Sequence, residues 1–307
     1  MHITVKSFAQ KHYVMIGTLC AFLGAVGFSV KSVLIKLAYL QAIDAVSLLV
    51  LRMMFSLPFF LFIVAWSAYR KNPAPIATRD RWAITVLGLL GYYLASLLDF
   101  MGLTYISASL ERLVLFLYPT LVVILAAVFL RKPIRTSTVV ALALSYIGVA
   151  MAITQDVEPL SGPVVIGTAL VFGSMVSYAL YLVGSGEVLA RVGAMRFTGL
   201  AMTVSCVAAL IHFGLTHRLA ELAQPMNVYG VALIMAIFST VLPSILVSVA
   251  IRRIGAGAAA MIGSIGPIIT IALATMLLNE SMTLLQLIGG GLVIGGVLVV
   301  SLQAKPA

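Results

Sequence analysis

Residues 13–34 read YVMIGTLCAFLGAVGFSVKSVL, an apolar run whose lone charge is Lys31. About 20 residues, at a helical rise of ~1.5 Å each, cross the ~30 Å hydrocarbon core of a bilayer. The run is too long for the apolar part of a cleavable leader, and no small-residue cleavage site follows it. It reads as a first membrane-spanning helix. The rest of the chain has the same character: of 307 residues, 62% are hydrophobic and 9% charged, with a mean hydropathy of +1.16. A soluble domain carries about 25% charged residues, so a soluble enzyme, a disordered chain and a disulfide scaffold are all excluded. Cys20 and Cys206 both fall in apolar runs and read as packing residues.

Outward from that first run, apolar stretches separated by charge or turn residues place helices near 13–37, 44–68, 82–104, 108–130, 136–153, 163–184, 195–215, 228–250, 254–278 and 282–302. The expected fold is an all-α polytopic membrane protein of ten transmembrane helices. Its net charge of +10 would suggest nucleic acid in a soluble chain, but membrane proteins gather Lys and Arg on cytoplasmic loops. Tallied over alternate loops, the basic residues fall overwhelmingly on the side that holds Lys6, Arg70, Lys71, Arg131, Lys132, Arg252, Arg253 and Lys305. Both termini are expected in the cytoplasm, and the chain in a bacterial inner membrane.

The first run also returns later in the chain. At an offset of 150, Ile16-Gly17-Thr18 matches Ile166-Gly167-Thr168, and Phe22 and Val26 match Phe172 and Val176. At an offset of 148, Ile106, Ala108, Pro119, Ala126, Leu130, Gly148 and Val149 match Ile254, Ala256, Pro267, Ala274, Leu278, Gly296 and Val297. The near-constant offset implies two five-helix repeats, 1–155 and 156–307. Because five is odd, the second repeat enters the membrane inverted, an architecture that recurs in secondary transporters.

The run Gly27-Phe28-Ser29-Val30-Lys31-Ser32-Val33-Leu34-Ile35-Lys36-Leu37-Ala38-Tyr39 resembles the first helix of EamA-type members of the drug/metabolite transporter superfamily, and Leu51-Arg52-Met53 resembles their second helix. The resemblance recurs at Tyr118-Pro119…Leu130 and Gly266-Pro267…Leu278-Asn279-Glu280. There the second repeat keeps the family's acidic residue as Glu280, whereas the first has Arg131-Lys132. The resemblance implies the transporter fold. It does not select among amino acids, sugars, nucleotide precursors and drugs, all of which relatives move.

An ionisable side chain within a span is costly and normally faces a cavity or a partner. Counted along their helices at ~1.5 Å per residue, Lys31, Arg52, Asp99 and Glu111 lie about 24–28 Å from the cytoplasmic end. Four helices therefore bring charge to one level, with Arg112 adjoining. Arg52 and Arg112 read as structural charge, Arg52 by resemblance and by its bulky apolar neighbours, Arg112 because it can snorkel. Lys31, Asp99 and Glu111 read as substrate-binding.

Helical phase adds polar companions. Tyr92 and Ser96 share a face with Asp99, Tyr118 lies seven residues beyond Glu111, and Tyr178 and Tyr181 stand where the first repeat has Phe28 and Lys31. One repeat thus supplies charge and the other small and aromatic surface, which suits a zwitterionic or partly apolar solute. Gly24 and Gly27 are expected to clear space beside Lys31. Pro119 and Pro267 are candidate hinges, and the glycines of the tenth helix suggest a packing face, for a homodimer among other uses.

With no phosphate-cradling GxxxxGK[ST] run and the four histidines scattered, neither a nucleotide, a metal nor any other cofactor is expected. The leading expectation is a secondary transporter that exports small metabolites such as amino acids by alternating access, with solute and lipid bilayer as partners. The alternatives are a membrane-embedded lipid-modifying enzyme and a facilitator of drugs or nucleotide precursors. No catalytic motif supports the enzyme.

Overall fold

The computed structural model describes residues 2–69, 75–115, 117–118, 121–122, 124–125, 128, 136–153, 162–280 and 283–303. Among these residues the regular structure is helical throughout. The helices are α1 (His2–Tyr39), α2 (Ala45–Tyr69), α3 (Thr78–Gly102), α4 (Ala108–Leu115), α5 (Thr136–Ile153), α6 (Gly162–Val192), α7 (Ala194–Thr216), α8 (Met226–Gly255), α9 (Gly266–Leu278) and α10 (Leu284–Gln303). Six of them, α1 from His12 onward and α2, α3, α6, α7 and α8, are long and apolar enough to cross a membrane. The exposed side chains of α2 include Leu61, Phe62 and Trp66, a surface that belongs in lipid. The protein is an integral membrane protein.

Backbone groups in hydrocarbon must find partners inside the fold, and the departures from regular α-helix show how they do so. In α3 the segment Leu89–Leu94 winds as a π-helix, in which the Ala95 N–H reaches back to the Leu90 carbonyl. Two serines of α6 add donors to the same stretch: Ser177 donates to the Leu90 carbonyl at 2.8 Å and Ser174 to the Ala95 carbonyl at 2.7 Å. A second π segment, Ile237–Val241, interrupts α8, and there the Thr240 hydroxyl donates to the Met235 carbonyl at 3.0 Å. Such bulges inside α-helices gather at functional sites.

The helices pack chiefly as α1 with α8 and α9, α2 with α7 and α8, α3 with α6 and α7, α4 with α6 and α9, and α5 with α10. Gly24 and Gly27 do not open space beside Lys31. A Cβ on Gly24 would stand 2.8 Å from Val247, and one on Gly27 would strike Pro243 and the Phe238 carbonyl, so this stripe seats α1 against α8. Two glycines of α10 are engaged within the chain: Gly289 and Gly290 are buried, and Gly290 faces Leu113 of α4, whereas Gly291 and Gly295 are exposed with nothing within 4 Å of a Cβ.

The expected ninth helix, 254–278, is broken. At Gly255 the backbone turns to φ 82°, ψ 158°, then resumes as helix over 256–262 and tightens into a 3-10 turn, Gly263–Ile265. Pro267 follows in the first turn of α9, where a missing N–H removes no ladder bond. Pro119 lies outside the described residues.

Candidate functional site

Phase along α1 aims Ala21, Ala25, Phe28 and Lys31 in one direction, and all four line a central cavity of about 120 Å³. Around it α2 contributes Arg52 and Met53, α3 Gly91, Tyr92 and Ser96, and α4 Arg112. From the other half come Ser174 and Tyr178 of α6, Met202 of α7 and Ser239 and Thr240 of α8. Both π segments border this space.

The five charges foreseen at one level do gather. Lys31 Nζ lies 2.5 Å from Asp99 Oδ2, with the Asp99 side chain 1% exposed. The Glu111 carboxyl is fully buried beside that of Asp99, with the charges of Lys31 and Arg112 around the pair. Arg112 is held by its Nη2, which donates to the Ser29 hydroxyl at 3.1 Å. The Arg52 guanidinium lies over the Phe100 ring, 4.6 Å from its centroid, a cation–π contact.

The distribution differs from the sequence expectation in two respects. Of the residues expected to touch solute, Lys31, Tyr92, Ser96, Tyr118 and Tyr178 line the cavity, as do Arg52 and Arg112, which were read as structural charge. Asp99, Glu111 and Tyr181 stand behind that wall. Tyr181 is fully buried, its hydroxyl 2.7 Å from that of Tyr92. Its ring packs against Tyr178, whose ring meets Tyr118 edge-on at 5.6 Å. These four tyrosines join α3, α6 and the segment after α4 in one aromatic row.

Glu280, noticed in the sequence only as the family's acidic residue, does something that spacing alone did not reveal. It accepts the backbone N–H of Ala108 at 3.0 Å and of Ser109 at 3.2 Å, and the Ser109 hydroxyl at 2.7 Å. A carboxylate from the end of α9 thus caps the free N–H groups at the start of α4 and complements its dipole. The helix that carries Glu111 and Arg112 is fixed at its root by the other half of the chain.

Away from the cavity, Asp44, His217 and Glu221 come within 4.8 Å of one another, a cluster that the scattered histidines did not foretell. Two of the three already serve as caps. Asp44 Oδ1 accepts the N–H groups of Val46 and Ser47 at 2.9 Å each, and Glu221 accepts the Arg218 N–H. At another edge Arg191 pairs with Asp80 at 2.8 Å, tying α6 to α3.

Comparison with known proteins matches the EamA-like transporter family twice along this sequence, over residues 15–154 and 165–302. The chain belongs to the EamA-like transporter family. It is 32% identical over 281 residues to the uncharacterized transporter YcbK of Bacillus subtilis, covering 90% of this chain and 89% of that one. An uncharacterized transporter of Archaeoglobus fulgidus is 28% identical over 225 residues, covering 73% of this chain and 79% of its own. A protein of known crystal structure superposes with a TM-score of 0.69 over 94% of this chain and 97% of its own, at 16% identity, which establishes likeness of fold. The protein is thus a membrane transporter of the EamA type and not an enzyme, and its partners are a small-molecule solute and the lipid around it.

Proposed function

We propose that this EamA-type protein is a secondary transporter that exports small metabolites such as amino acids by alternating access. In this reading it consists of two inverted five-helix repeats, 1–155 and 156–307, set in a bacterial inner membrane with both termini in the cytoplasm. The observation that carries the reading is the cavity, to which the first half brings Lys31, Arg52, Arg112 and the aromatic rings of Phe28, Tyr92 and Tyr118, and the second half Tyr178 and the hydroxyls of Ser174, Ser239 and Thr240.

The packing supports the inverted repeat. Exchanging α1–α5 for α6–α10 leaves the pairings unchanged: α1 with α8 becomes α6 with α3, α1 with α9 becomes α6 with α4, and α2–α7, α4–α9 and α5–α10 map onto themselves. Individual residues follow. A Cβ on Gly17 would stand 2.7 Å from Ile254, and one on Gly167 2.8 Å from Ile106. These are the residue pairs that the two sequence offsets relate. The π segments at Leu89–Leu94 and Ile237–Val241 also begin 148 residues apart.

Lys31, Tyr92, Ser96, Tyr118 and Tyr178 are the residues proposed to meet solute, with Asp99, Glu111 and Tyr181 holding them in place. The break before Pro267 serves as one hinge and Pro119 as its counterpart. Of the α10 glycines only Gly290 is seen to face α4, and no particular surface argues for a homodimer. Counterflow into liposomes, using the purified protein and a panel of amino acids and related metabolites, tests the proposal. Saturable flux of a panel member is expected. Transport absent for every amino acid would remove that substrate class.

A further inference from the structure

Among the described residues the cavity wall holds three cationic side chains, Lys31, Arg52 and Arg112, and no carboxylate. Lys31 is engaged by Asp99, but the two arginines retain donors. Arg52 is 3% exposed and Arg112 8%. Among the described residues Arg52 Nε and Nη2 and Arg112 Nε have no hydrogen-bond partner. The Ser239 hydroxyl, in the π segment of α8, lines the same space, fully buried and likewise unpartnered. A buried donor left unmade costs about 1–3 kcal/mol, more when charged, and a guanidinium removed from water needs a compensating acceptor. Three cations against two acids, Asp99 and Glu111, leave at least one positive charge uncompensated.

From these donors we infer that the cavity recognises a monoanionic carboxylate with an apolar or aromatic body. The inference rests on the cavity being the solute's site. The planar fork of arginine matches two carboxylate oxygens, and a negative charge offsets the excess. Tyr118, Tyr178, Met53 and Leu182 give the body an apolar and aromatic surface. An ammonium group finds hydroxyls there but, among the described residues, no carboxylate, because Asp99 and Glu111 are not part of the lining. An organic acid that lacks the amino group is therefore preferred over the corresponding amino acid.

Three ligands with one body separate these features: hydrocinnamate, phenylalanine and phenethylamine. Titrated against the full-length protein in detergent by calorimetry, hydrocinnamate is expected to bind at least ten-fold more tightly than phenylalanine, with phenethylamine weakest. Arg112→Gln and, separately, Arg52→Gln should each lower hydrocinnamate affinity ten-fold or more and barely change that of phenethylamine. Equal binding of the three ligands, preference for the amine, or binding of none by the wild-type protein would overturn the inference without recourse to any variant. Tight hydrocinnamate binding without flux into liposomes would uphold the anion site and remove the transport reading instead. Flux of phenylalanine or phenethylamine exceeding that of hydrocinnamate would do the reverse.

Discussion

Arg112 Nη2 occupies the space in which a side chain at residue 266 would begin: a Cβ on Gly266 would stand 2.8 Å from it and 3.2 Å from Ser29 Oγ. Gly266 itself has ordinary helical backbone, φ −52°, ψ −50°, so its need is for room. The obstructing atom is the far end of a flexible side chain, which can swing away while the fold persists. Gly266→Ala should therefore leave the melting temperature close to wild type and reduce transport at least ten-fold by displacing the guanidinium. Gly291→Ala, where a Cβ meets nothing within 4 Å, should change neither. Unfolding of Gly266→Ala, or normal flux through it, would contradict the argument.

Lys31 and Asp99 differ in what their loss exposes. Lys31→Met strands a carboxylate that is 1% exposed, and breaking a buried pair from one side costs roughly 3–5 kcal/mol. Adding Asp99→Asn removes the stranded charge. The double variant should recover most of the lost stability yet remain deficient in transport. A double-mutant cycle on thermal stability, read beside liposome flux, separates the two roles; full recovery of flux would make Lys31 a purely structural cation.

Glu280→Ala removes three hydrogen bonds to the start of α4, two from backbone N–H groups. A lost cap costs about 0.5–2 kcal/mol. The variant should unfold earlier in a denaturant titration by an amount in that range. Ser109→Ala should cost less, and little more once Glu280 is gone, because the two share one network. Strict additivity would show that the cap is energetically idle.

Asp44 supplies a dependence on acidity outside the spans. Burial pushes its carboxyl up, but hydrogen bonds from Ser47 and Val46 and the neighbouring His217 outweigh that and hold it below the usual value. A depressed carboxyl stabilises the fold above its unfolded value, near ~3.9, and the benefit is lost as pH falls through the folded value. The melting-temperature gap between wild type and Asp44→Ala should be open at neutral pH and close below about pH 4. A gap that widened in acid would reverse the sign.

The level at which Lys31, Arg52, Asp99 and Glu111 meet was legible in the sequence because a helical rise converts residue counts into depth. Side was harder to read. Arg52 has bulky apolar neighbours along the chain, but its neighbours in space are Phe100 and the cavity. Helical phase placed Tyr178 and Tyr181 together, and only packing decided that one lines the wall and the other backs it. Gly24 and Gly27 announced a close approach without naming Pro243 as what approaches. Glu280 capping α4 across 171 residues needed the fold itself, and the π segments carry no compositional mark.

The pairing of Lys31 with Asp99 also has a history within each molecule. The two residues are 68 positions apart, and synthesis proceeds at about 5–20 residues per second, so the acid is polymerised roughly 3–14 seconds after the lysine. For that interval the nascent α1 carries an ammonium within an apolar run long enough to span a membrane, and hydrocarbon disfavours such a charge. The first hairpin must linger where water or the insertion machinery can shelter that charge until α3 arrives. Slowing the ribosome between α2 and α3 would lengthen the wait and should lower the yield of inserted protein, and Lys31→Met should abolish that sensitivity.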